Sequence, residues 1–178
     1  MNTVTRLSAV LAATLSIWLP VARSAGESSA PAAARFYVLT GDWQGEGSVS
    51  ESGKVSRFDL RLQCSQASAG WAELCMLIGR DRAGDAVLAE TDLFGVDPLT
   101  GQGHWYAVTN SGETHDHLAD WTDALTLHAH LNWRQEGKRM EERIVISLAA
   151  AKTLEFHSVV SEDGHNVSEF TGTLHGGS

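Results

Sequence analysis

The chain has 178 residues and is acidic, with 13 Lys and Arg against 22 Asp and Glu and a formal charge of −9. That balance repels phosphate backbones, and no basic stripe interleaved with aromatics offsets it, which argues against a nucleic-acid partner. The length suits one domain around one core.

Residues 1–24 read as a secretory signal peptide: Arg6 supplies the positive start, Leu7 to Val21 the apolar run, and Ala22-Arg23-Ser24 the small residues a signal peptidase reads. Cleavage after Ser24 removes Arg6 and Arg23 and takes the charge to −11. No cysteine follows the cleavage point, so the expected product is secreted or periplasmic and free of a lipid anchor. No later stretch is long and apolar enough to span a membrane as a helix. Residues 25–35 read as a small-residue linker with nothing to bury, which leaves 36–178 for the folded domain.

The first strand opens with Gly41-Asp42-Trp43-Gln44-Gly45-Glu46-Gly47. Glycines at alternate positions clear one face of an extended segment, so another strand or an end plug can come close. Trp43 is then expected to fill the bottom of a barrel. Beyond it the period is two: Phe58, Leu60 and Leu62 alternate with Asp59, Arg61 and Gln63, and Leu125, Leu127, Ala129, Leu131 and Trp133 alternate with Thr126, His128, His130 and Asn132. Turn signals fall at Glu51 to Lys54, Ala69-Gly70, Ala83 to Asp85, Asp97 to Gly101, Gln135 to Lys138 and Glu162 to His165. These punctuate eight to ten antiparallel strands joined as hairpins; no segment of the mature chain shows a sustained helical period, although Glu113 to Trp121 could hold a turn or short helix. Even spacing of many short strands implies an all-β barrel or sandwich, and closure best removes exposed edges. The two cysteines, Cys64 and Cys75, are expected to form a disulfide: a two-residue turn at Ala69-Gly70 sets them opposite each other, and secretion oxidises them.

The Gly-x-Trp-x-Gly-x-Gly opening, followed by Gly95-Val96-Asp97-Pro98, Trp105 and Ser111-Gly112-Glu113-Thr114-His115, resembles a secreted bacterial calycin-like family of unknown function. The resemblance covers nearly all of the chain after the signal peptide. The opening is also similar to nitrobindin-type haem-binding barrels and, more loosely, to lipocalins and fatty-acid-binding proteins. The resemblance implies an up-and-down antiparallel barrel whose mouth or interior holds an apolar ligand. Haem enters by the same analogy. The nitrobindin-like proteins place a haem-ligating histidine near the C-terminus, where this chain has only His175 in surroundings that do not reproduce the motif.

Histidines supply the strongest candidate chemistry. His115 and His117 form one His-x-His pair, His128 and His130 another, and alternation sets both imidazoles of each pair on one strand face. With Glu113, such a cluster would suit zinc, copper or nickel, and a zinc hydrolase would need three ligands and an open position for water. If the apolar face of the 125–133 run lines the barrel, His128 and His130 instead face solvent. Ser111, His115 and Asp116 carry the letters of a hydrolytic triad but lie too close in sequence for its geometry. Glu142 stands on the otherwise apolar face of Met140, Ile144, Ile146 and Leu148, at a barrel rim or paired with an arginine. Trp43, Trp105, Tyr106, His115 and Trp121 are expected around a ligand. Three readings follow: a non-catalytic binding protein for a small apolar or amphipathic ligand, a metal-binding protein or metal-dependent hydrolase, and an interaction protein with an acidic surface.

Overall fold

Two-residue alternation organises almost the entire chain into strands. The computed structural model describes residues 33–150 and 152–176, so the expected signal peptide and residues 25–32 of the expected linker lie outside it. The strands are β1 (Gly41–Glu51), β2 (Lys54–Ala67), β3 (Ala72–Arg80), β4 (Ala86–Val96), β5 (Gly103–Thr109), β6 (Thr114–Trp121), β7 (Thr126–Gln135), β8 (Lys138–Ala150), β9 (Thr153–Glu162) and β10 (His165–Gly176). Each pairs antiparallel with its sequence neighbours, and β10 returns to β1, giving a closed ten-strand up-and-down barrel. Closure leaves no free edge. The stretch that could hold a turn or short helix is instead β6, whose alternation of His115, His117, Ala119 and Trp121 on one face belongs to a strand.

Where β1 meets β10, the glycine pattern has the reason expected of it. A Cβ on Gly45 would lie 1.9 Å from the Thr173 carbonyl oxygen. Only a residue without a side chain lets the barrel close there.

A short 3₁₀ helix, Ala34–Leu39, closes one end of the barrel. It begins inside the segment expected to be a linker, because Phe36 and Leu39 have a core to enter and are both 1% exposed. Phe36 packs against Phe94 and Trp121, with ring centroids 5.4 and 5.9 Å away. Trp43 donates its indole N–H to the Leu39 carbonyl at 2.7 Å. The Tyr37 hydroxyl donates to the Gly70 carbonyl, and Thr40 donates to the fully buried Glu73 at 2.8 Å. The tryptophan therefore fixes the plug that seals the barrel's floor.

Cys64 and Cys75 form the expected disulfide between directly paired positions of β2 and β3. The connection is longer than the two-residue turn expected, since pairing ends at Ala67↔Ala72. Its centre is unchanged, so the register survives. The opposite end of the barrel carries tight hairpins such as Glu136-Gly137, where both residues have positive φ, as a two-residue primed turn requires.

Candidate functional site

A ten-strand barrel is wider than the eight-strand size that side chains alone fill. The interior keeps a cavity of about 990 Å³, with Leu39 of the plug at its floor and Val55, Arg57 and Arg82 near its mouth. Phe58, Leu77, Phe94, Ile144, Ile146 and Phe156 make its walls apolar. Against this background stands one polar group: Glu90, Asp92, His115, His117, Glu142 and Ser158.

Register explains their meeting. Asp92 pairs with Ala107, which pairs with His115, while Phe94, Trp105 and His117 form the next row. The small Ala107 separates the acid from the imidazole. From the far side of β7, Glu142 on β8 reaches His117, with Nε2 3.0 Å from Oε2, and lies 3.8 Å from Nδ1 of His115. Ser158 on β9 donates to the other carboxylate oxygen at 2.7 Å. His117 is 2% exposed, its Nδ1 is 3.4 Å from the Trp105 carbonyl, and its ring lies 5.1 Å from the Trp105 indole. Trp105 in turn donates its N–H to Asp92 at 2.7 Å.

Electrostatics divides the three carboxyls. Burial pushes Glu90 up to about 8, with the charges of Asp92 and Glu142 adding and His117 opposing. Burial likewise pushes Asp92 up to about 7 against the hydrogen bond from Trp105. For Glu142 burial also acts upward, but the hydrogen bonds from His117 and Ser158 and the charges of both imidazoles outweigh it and hold the group below the usual carboxylate range. One firm anion thus sits beside two carboxyls that retain protons near neutrality. The order Ser158, Glu142, His117 puts the carboxylate between hydroxyl and imidazole, so His117 does not stand as base to the serine.

The sequence-level candidates separate sharply. Trp105 and His115 line the cavity. Trp43 and Trp121 belong to the floor around the plug and not to the mouth. Tyr106 faces outward, 47% exposed and stacked on His104, because it alternates with the inward Trp105. Of the expected metal cluster only His115 and His117 converge. His128 and His130 are exposed, since Leu127 and Ala129 take the inward face of β7. Glu113 is exposed in the β5–β6 turn, bonded by Ser111 at 3.1 Å. Asp116 points outward to His104 at 3.0 Å, so Ser111, His115 and Asp116 form no triad. His175 is exposed on β10 and does not face the cavity. Glu142 completes the cluster in place of Glu113, paired with histidine and not with arginine. Glu90, Asp92 and Ser158 are the residues that sequence reasoning missed.

No protein-family model matches the chain, and a search of curated proteins finds no match. Solved structures do resemble it. Rv2717c from M. tuberculosis superposes with a TM-score of 0.61 at 15% identity, covering 83% of this chain and 98% of that one. The S-type phycobiliprotein lyase CPES from Guillardia theta superposes with a TM-score of 0.56 at 12% identity, covering 82% and 92% respectively. The fold is a calycin-like barrel. At such identities the likeness carries the architecture and leaves function to the site. Among the described residues, no helix is long and apolar enough to cross a membrane.

Proposed function

We propose that this calycin-like barrel is a secreted or periplasmic binding protein for a small amphipathic molecule, with no reaction of its own. The observation that carries the reading is the 990 Å³ cavity, apolar on most of its wall, with one polar group inside it and charged residues at its mouth. Its volume is at the upper end of the range for small-molecule sites, and few, convergent polar groups on an apolar wall are what orient a ligand. The apolar body of the ligand would lie along Phe58, Leu77, Phe94, Ile146 and Phe156, and its polar end would meet His115, Glu142 and their neighbours. Ser158 donates its hydroxyl to Glu142 and, among the described residues, has no imidazole beside it as a base, which supports binding over catalysis. The Cys64–Cys75 bridge supports an oxidising compartment.

Dodecylamine, dodecanoic acid and dodecanol share one apolar body and differ in the head group. Titrated into chelator-treated protein, at least one should change tryptophan fluorescence saturably at one site per chain, since Trp105 borders the cavity. Leu88→Trp, which fills space among the lining residues without adding charge, should weaken that binding at least about tenfold, equivalent to roughly 1.4 kcal/mol. Absence of saturable binding by all three, or equal affinity in Leu88→Trp, would overturn the reading.

A further inference from the structure

We infer that His115, His117 and Glu142 form a binding site for one divalent transition-metal ion of the zinc class, with its remaining coordination directed into the cavity. Each residue offers one ligand atom, and the three atoms lie within 4.8 Å of one another. Two imidazoles and a carboxylate are a donor set suited to zinc, nickel or copper and poorly suited to calcium or magnesium. The spacing also fits an ion: Nδ1 of His115 is 3.8 Å from Glu142 Oε2, too far for a hydrogen bond, yet both atoms can be neighbours in one coordination shell.

The surroundings have the form that metal ligands need. Binding an ion displaces the proton that His117 Nε2 shares with Glu142, and a proton on Nδ1, 3.4 Å from the Trp105 carbonyl, leaves Nε2 to the ion. Ser158 holds Glu142 Oε1 at 2.7 Å and leaves Oε2 on the side of both histidines. Such outer partners fix tautomer and orientation in metal sites. Glu142 brings one negative charge to the ion, and the arginines among the cavity's lining residues, Arg57 and Arg82, are exposed.

Three protein ligands leave a zinc ion at least one position unfilled, as in sites that accept a further donor. That position would face the cavity, where a ligand's carboxylate, thiolate or imidazole would complete the shell. The ion itself is bound by protein atoms alone, so this inference stands apart from the organic-ligand reading.

The test is zinc titration of the untagged, chelator-treated chain, followed by calorimetry and by competition with a chromogenic chelator. Cobalt(II) substitution provides a spectroscopic readout of coordination. The expected result is one equivalent of tightly bound zinc and intense visible cobalt bands from a low-coordinate site. His115→Ala removes a ligand that is 24% exposed, so the fold should survive, and affinity should fall more than in Ser158→Ala. The latter, which removes an outer partner, should cost about 10- to 100-fold. The pair His128→Ala and His130→Ala should bind as the unchanged chain does. Substoichiometric zinc, affinity unchanged in folded His115→Ala, or binding lost with His128 and His130 would each overturn the site. Neither the dodecyl titration nor its outcome enters this result, so the two readings fail separately.

Discussion

Glu90 provides a quantitative test of how dry the cavity wall is. In the folded chain its carboxyl is pushed up to about 8 from the ordinary 4.5, chiefly by burial. The folded state then keeps a proton that the unfolded state releases. The resulting stability is full below about 4.5 and is lost as pH rises toward about 8. Within that window the loss approaches roughly 1.4 kcal/mol per pH unit. Between pH 5 and 7, allowing for partial ionisation at the lower end, Glu90 alone removes about 2 to 3 kcal/mol. Glu90→Gln keeps the shape and abolishes the titration. Relative to the unchanged chain, it should therefore gain about 2 to 3 kcal/mol of stability on going from pH 5 to 7. Groups that do not face Glu90 cancel in that comparison, as does any fixed difference in hydrogen bonding, and Asp92, which does interact with it, keeps its own proton over most of the window. Urea unfolding of chelator-treated protein, followed by circular dichroism at constant ionic strength, measures it. An equal stability difference at both pH values would show that Glu90 ionises normally, and that solvent reaches the polar wall freely.

Two further expectations concern the scaffold. Gly45→Ala places a methyl group 1.9 Å from the Thr173 carbonyl oxygen at the strand pair that closes the barrel; it should cost more than about 3 kcal/mol, read as loss of a cooperative thermal transition in near-ultraviolet circular dichroism. A near-unchanged Tm would mean that β1 and β10 separate easily. Reducing the Cys64–Cys75 bridge, whose sequence separation is 11, should cost about 3 kcal/mol by the loop-entropy relation; identical urea midpoints with and without reductant would contradict it.

Much of the architecture is readable because barrel closure obeys simple local rules. The paired positions of β2 and β3 share the centre implied by a turn at Ala69-Gly70, and a loop lengthened evenly about that centre keeps Cys64 opposite Cys75. On β7 the apolar set Leu127, Ala129, Leu131 and Trp133 dictates the inward face, and His128 and His130 follow outward by alternation. The 3₁₀ plug was not readable in the same way. Its short run of Phe36, Tyr37, Val38 and Leu39 has neither helical nor strand period, and only tertiary contact with Phe94 and Trp121 gives it a place.

The candidate site shows where the same rules fail by a single step. Glu90 and Asp92 share parity with Leu88 and Phe94, and Glu142 shares parity with Ile144 and Ile146, so each carboxyl violates an apolar face. Read strand by strand, such violations suggest rims or arginine partners. Their common location depends on register, which carries β4 across β5 to β6 through Asp92↔Ala107↔His115 and Phe94↔Trp105↔His117. That register is set by the turns at Asp97 to Gln102 and Thr109 to Glu113. Misplacing either turn by one residue exchanges inward for outward side chains along the entire following strand. A stretch Glu113 to Trp121 that could hold a turn or short helix as well as a strand leaves the second of these constraints open, and with it the link between two acidic positions on β4 and two histidines on β6. Consistent local rules specify the barrel, and the residues that break them on adjoining strands mark its functional wall.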